Sequence, residues 1–345
     1  MGERVPDRVL IVGALAAESL ETSYARAFDH LGWAVDRWDP VSNVGSRARG
    51  LLAGRIFARF VRVEPWVRKA NADLLRLVAA SGPSLILVIG TEGVRPGSLG
   101  QIRARHPRVP VYCLYPDSPH SLDADRILCL PLFTRVTVSS PDWVATMTRL
   151  GGREVGYLPF AADTLYHVPT GEQGRADQNL GFIGTWRPER EQVLEALADL
   201  GLHIWGGGYW RWRTRSGSTL RRCWVGGPAI GQGFVEACAQ TRIMLNILDV
   251  TSWPGPNMRA FELAACGAFA LTERTTPFTE IFPEGTASAC FSSVAEARDK
   301  ARFYLANGGA RVKIGQAAHR IATEAGHTYL NRAEQIVRWV AEDAS

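Results

Sequence analysis

The chain has 345 residues, more than one compact core ordinarily accommodates, so two domains are expected. Hydrophobic residues make up 46% and charged ones 21%, which excludes disorder as the dominant state. A formal net charge of +5 favours an anionic partner without selecting among a nucleotide diphosphate, nucleic acid and an acidic membrane surface.

In chain order, acidic Glu3 and Asp7 precede the apolar run Val9-Leu10-Ile11-Val12-Gly13, which reads as a strand. A helical pattern with Tyr24, Phe28 and Leu31 on one face follows, then the alternating strand Ala34-Val35-Asp36-Arg37-Trp38. The densest basic stretch comes next, with Arg47, Arg49, Arg55, Arg59, Arg62, Arg68 and Lys69 interleaved with Phe57, Phe60 and Trp66. It reads as a solvated helical face, or else as a surface for a membrane or an acceptor. Further strands are predicted over Leu85 to Ile89, Val109 to Leu114, Arg135 to Ser139 and Glu154 to Leu158, with helical stretches between them. Such alternation implies a parallel sheet covered on both faces.

The chain turns polar between Tyr166 and Gln178, and a second strand-helix series starts at Leu180-Gly181-Phe182-Ile183-Gly184. It continues with His203 to Trp205, Arg242 to Ile247, Gly267 to Thr272 and Ala287 to Phe291, and two or three helices close the chain. The organisation expected is an α/β protein with domains at 1–168 and 178–326 and a terminal segment at 327–345. Six cysteines without CxxC spacing, most of them in apolar runs, point to reduced buried thiols rather than a zinc site or disulfide frame. With no run of 18 uncharged apolar residues, the expected location is the cytoplasm.

Ligands of open parallel sheets bind where strands end, so the loops after strands hold the candidates. In Ser252-Trp253-Pro254-Gly255-Pro256-Asn257-Met258-Arg259-Ala260-Phe261-Glu262, a Pro/Gly loop leads to Asn257 as N-cap of a short helix ended by Gly267. Backbone N–H groups there make an anion site, Arg259 adds a forked cation for phosphate, and Glu262 offers acceptors for ribose hydroxyls. A capped core helix with solvated charges explains the segment equally well. In the turn Gly184-Thr185-Trp186-Arg187-Pro188-Glu189-Arg190, Gly184 permits close approach of phosphate, and Arg187 and Arg190 have the chemistry to clamp a diphosphate or are exposed charges of a first helical turn. The loop Gly206-Gly207-Gly208-Tyr209 either walls a nucleotide or is a flexible turn. Asp117 and His120, after an apolar strand, are candidate bases for an acceptor hydroxyl, although Asp and Pro also make ordinary turns. Gly13, Glu18, Gly90, Thr91 and Glu92 are weaker candidates of the same kind.

Two motif matches fail. Val12-Gly13-Ala14-Leu15-Ala16-Ala17 lacks the later glycines of a dinucleotide fingerprint, and Asp123-Ala124-Asp125 precedes a helix rather than ending a strand as a metal-binding DxD would.

The run Ile243 to Leu248 followed by Pro256 to Gly267 and Leu271-Thr272-Glu273 resembles the donor domain of CgeB-type (spore-maturation-protein-like) glycosyltransferases. Ser139-Ser140-Pro141-Asp142-Trp143, Leu158 to Asp163, and His327-Thr328-Tyr329 with Arg332 match further elements of that family in order, from about Leu85 onward. The resemblance implies a GT-B fold: two Rossmann-like domains, the first for acceptor and the second for a nucleoside-diphosphate sugar, and a last helix returning to the first. It implies no metal and no cofactor besides the donor. Under it Arg259 and Glu262 would hold phosphate and ribose, and with the loop residues above the expected donor contacts are Gly184, Thr185, Arg187, Arg190, Gly207, Tyr209, Pro256, Asn257, Arg259 and Glu262. Related retaining enzymes carry a second Glu about eight residues before the ribose-binding one, where this chain has Pro254, so the stereochemistry of transfer stays open, with Asp117 or His120 as base if it inverts. A catalytically idle sugar- or partner-binding protein and a nucleotide-sugar epimerase are the alternatives.

Overall fold

The structure is a computed structural model, and residues 7–45, 64–169 and 176–343 are described. Arg47, Arg49, Arg55, Arg59 and Arg62 of the basic stretch lie outside them; Arg68 and Lys69 are exposed on the helix Glu64–Ser81. The chain forms two units, residues 1–159 with 330–345, and residues 160–329.

In the first unit, six parallel strands run in the order β2-β1-β3-β4-β5-β6. They are β1 (Arg8–Val12), β2 (Ala34–Trp38), β3 (Leu85–Ile89), β4 (Val111–Tyr115), β5 (Arg135–Val138) and β6 (Val155–Tyr157). The central strands β3 and β4 are buried at every position, which is why they read as unbroken apolar runs, whereas β2 at the edge is buried only at Trp38. The helix Tyr329–Asp343 ends on this sheet: Tyr112 Oη donates to Asp343 at 2.5 Å, Arg135 lies 3.5 Å from the same carboxylate, and its guanidinium stacks 4.8 Å over Trp339.

The β1–helix turn is held by a buried acid. Glu21, 7% exposed in the first turn of the helix Leu20–His30, accepts from Ala14 N at 2.8 Å, and a Cβ on Gly13 would lie 2.4 Å from its carboxylate. Burial pushes the Glu21 pKa up, against backbone and Ser19 hydrogen bonds that favour the anion. In the native state it therefore holds its proton to higher pH than when unfolded, so its contribution to stability falls as pH rises from the ordinary carboxylate value through the folded one. Glu21→Gln, which keeps the acceptor and cannot ionise, is expected to flatten that decline; equal pH slopes of Tm for variant and parent would contradict it.

The second unit has parallel strands in the order β12-β11-β10-β7-β8-β9. They are β7 (Gln178–Ile183), β8 (Leu202–Trp205), β9 (Trp224–Gly226), β10 (Thr241–Asn246), β11 (Ala270–Glu273) and β12 (Ala289–Phe291). Three helices follow, Val294–Ala306, Gly308–Glu324 and Tyr329–Asp343. The polar segment after Tyr166, at the expected boundary, lies within this unit, and the division falls at Pro159. Strand β9 has no counterpart among the expected strands: it is three residues long, at the sheet edge, and pairs only with β8 across a register shift. Gly267 is not strand but a left-handed residue, φ 68°, just past the helix Met258–Ala265, so β11 starts three residues later. None of the six cysteines is in a disulfide; all are buried except half-buried Cys223. Among the described residues no helix is long and apolar enough to cross a membrane.

Candidate donor site

Strand order decides where a doubly wound sheet binds. In the second sheet β7 has β8 on one side and β10 on the other, so the crossovers diverge between β7 and β10 and leave a crevice at their carboxyl ends. The two loops singled out in the sequence are the loops at this point.

Arg190 joins them. It reaches back from the helix Pro188–Glu195: Nε donates to Ile247 O at 3.1 Å, Nη1 to Thr185 O and Oγ1 at 3.1 and 3.0 Å, and Nη2 pairs with Asp249 at 3.2 Å. The guanidinium is thus held between the loops, 11% exposed, while Arg187 stays 49% exposed with Nε 3.7 Å from Asp249. Desolvation works to raise the Asp249 pKa, but the Thr251 hydroxyl and the two arginines outweigh it and hold the carboxyl below its ordinary value. Glu273, at the end of β11, accepts from Leu248 N at 3.1 Å, and burial pushes its pKa up.

The loop after β10 ends on an amide pair. Asn246, the last residue of the strand, and Asn257 exchange side-chain hydrogen bonds of 3.1 and 2.9 Å, and Asn257 Oδ1 also caps the helix by accepting from Ala260 N at 3.1 Å. Pro256 is buried beside this cap. One and two residues on, Met258 N and Arg259 N belong to the first turn, whose donors an α-helix does not satisfy internally. Arg259 sits 4.5 Å over the Phe234 ring and pairs with Glu262 at 2.7 Å; Glu262 is 5% exposed. A planar cation, a carboxylate and a capped helix N-terminus therefore converge where two strands part.

The third loop is packed from behind. Gly184 N donates to Trp205 O at 3.0 Å, and Gly184 O accepts from the indole of buried Trp210 at 2.9 Å. Gly206 makes that approach possible, since a Cβ there would lie 2.3 Å from Gly184 O and 2.6 Å from the indole nitrogen. Gly206→Ala should break the indole bond and shift both loops, at a cost of about 1–3 kcal/mol; an unchanged urea midpoint would refute this. Gly207 accepts from Trp210 N at 3.2 Å, and half-exposed Tyr209 packs at a tilt against Trp212, ring centroids 5.3 Å apart, with Arg213 over its face.

In the first unit, Asp117 and His120 share the exposed loop after β4. Ser118 caps the turn Pro119–Ser121, Tyr115 Oη and Ser121 Oγ are 2.7 Å apart, and Ser139 Oγ donates to Pro116 O at 2.7 Å, so the loop has a fixed frame. Asp123 caps the helix Ala124–Cys129 and Asp125 pairs with Arg95. Among the described residues no cluster of His, Cys, Asp and Glu has the arrangement of a metal site. Sequence reasoning had not selected Asn246, Asp249 or Phe234. A polar residue ending an apolar run was a usable signal for Asn246, whereas Phe234 comes from a helix with no motif at all.

The architecture matches solved structures over nearly its whole length: sucrose-phosphate synthase from Thermosynechococcus elongatus (TM-score 0.72, 13% identity, 97% of this chain and 98% of that one) and a glycosyltransferase from Rickettsia africae ESF-5 (0.68, 9%, 98% of each). The Anabaena protein Alr3699/HepE, in complex with UDP and glucose, matches at TM-score 0.64 and 14% identity, over 97% of this chain and 100% of that one. The fold is GT-B. Residues 187–338 also match the family described as glycosyl transferase-like, a stretch that holds Arg190, Arg259 and Glu262 but not the loop residues Gly184 and Thr185. No curated protein sequence matches the chain. At such identities the structural matches speak for the GT-B fold, and the family match is to a glycosyl transferase-like domain without distinguishing the CgeB type.

Proposed function

We propose that this GT-B protein is a CgeB-type glycosyltransferase, moving a sugar from a nucleoside-diphosphate sugar to a hydroxyl acceptor in the cytoplasm without metal or cofactor. The observation that carries the reading is the arrangement at the β7/β10 switch point: Arg190 ties the two loops together, and the second leads into a capped helix bearing the Arg259–Glu262 pair. Such a site has donors for a diphosphate and a carboxylate for ribose hydroxyls, and its fixed positive groups stabilise charge developing on a departing diphosphate without a metal. Similarity to a protein crystallised with UDP adds weight to a nucleoside diphosphate as ligand. Arg187, Gly184, Thr185, Gly207 and Tyr209 line the loops around it. Asp117 or His120 would take the acceptor proton in an inverting reaction.

A thermal-shift panel of UDP, GDP, TDP and ADP in the presence of EDTA tests the donor site. One of the four is expected to raise Tm, by linkage about 2.7 kcal/mol of stabilisation at a hundredfold excess over Kd. No shift with any of them would end the reading. Diphosphate release only when acceptor is added would mark transfer, and product without acceptor would mark an epimerase.

A further inference from the structure

The helix Met258–Ala265 carries Arg259 and Glu262 on one face and Ala260 and Ala264, four residues apart, on another. The alanine face covers a cavity whose other walls include Ala270, Ala287, Ala318 and Gly315. Small side chains leave the space open because the helix Gly308–Glu324 is held at a fixed distance from the first. His319 Nδ1 lies 2.8 Å from Ala265 O, and a Cβ on Gly315 would lie 2.8 Å from Gly267 O. The room there for the centre of a water molecule is about 20 Å³, above the roughly 10–15 Å³ that one water needs.

A cavity lined by hydrocarbon alone stays dry, but two hydroxyl residues line this one, Thr272 and Ser288, 1% and 3% exposed. Thr272 Oγ1 has no hydrogen-bond partner among the described residues. Ser288 Oγ donates to Phe282 O at 2.8 Å and lies 3.5 Å from Cys290 Sγ; with one proton and two lone pairs, it keeps an acceptor position open. Thr272 is the register partner of Cys290, and Ser288 comes two residues before Cys290. The two hydroxyls are thus a diagonal step apart, suited to one bridging molecule. On its other side Thr272 is in register with Asn246, whose amide holds the Asn257 cap.

We propose that one water molecule occupies this cavity, accepting from Thr272 Oγ1 and donating to Ser288 Oγ. It extends the polar row Asn257–Asn246–Thr272 to Ser288, behind the helix that bears Arg259 and Glu262. Without the bridge the Thr272 hydroxyl is buried at a cost; with it, the hydroxyl contributes to stability.

A crystal structure of the full chain at a resolution that shows ordered water tests the site. One density peak is expected within about 2.6–3.0 Å of both oxygens. Thr272→Val keeps the branched shape and the strand preference and deletes the hydroxyl. In urea it should shift the unfolding equilibrium about two- to tenfold toward the unfolded state, the scale of one hydrogen bond. A dry cavity predicts the opposite sign, because valine then removes an unpaired polar group. Thr272→Ser retains the hydroxyl, so its crystals should keep the peak that those of Thr272→Val lose. No peak in the parent, a peak that reaches only one of the two oxygens, or a Thr272→Val variant at least as stable as the parent overturns the proposal. None of these readouts involves nucleotide, so the water site and the proposed donor site fail independently.

Discussion

Arg190→Met is expected to destabilise the second unit by about 3–5 kcal/mol, the usual cost of removing one partner from a buried ion pair. The side chain is 11% exposed, and its loss leaves Ile247 O and Thr185 O without their guanidinium donor and the Asp249 carboxylate with only the longer 3.7 Å contact to Arg187. Methionine fills a similar volume, so the effect isolates the lost hydrogen bonds and charge. Arg190→Lys retains the charge but not the fork that reaches both loops, and should fall between the two. Urea unfolding with an unchanged slope gives the difference directly. Because the loops after β7 and β10 lose their common tie, the nucleotide-induced rise in Tm should shrink in step. A variant as stable as the parent would show that the fork does not hold the loops.

Arg259→Ala is expected to remove the nucleotide-induced rise in Tm and to slow diphosphate release about 10²- to 10³-fold, the range for losing one preorganised charge-stabilising donor. It also strips the partner from Glu262, 5% exposed and 2.7 Å away, at a stability cost of about 1–3 kcal/mol. The two effects are separable. Adding Glu262→Gln to Arg259→Ala neutralises the orphaned carboxylate and should recover much of the stability, while leaving nucleotide binding and turnover lost. Full turnover in Arg259→Ala would refute its assignment to the donor phosphates. Recovery of nucleotide binding in the double variant would show that the ion pair acts only on folding.

Apolar runs and punctuation in the sequence were enough to place eleven of the twelve strands, because central parallel strands must be apolar on both faces and loops must be polar. The N-cap at Asn257 and the helix end at Gly267 were equally legible, since capping chemistry is local. The edge strand β9 was not, because three residues with one neighbour carry no periodicity. Which loops meet is a property of strand order, and strand order is set by long-range packing rather than by any segment. Only the tertiary structure therefore decided that the Gly184 and Asn257 loops flank one crevice. Charge alone suggested that Arg187 and Arg190 are alike. Packing separates them: one is buried between the loops and bonded to the Ile247 carbonyl, 57 residues away, and the other stays in water.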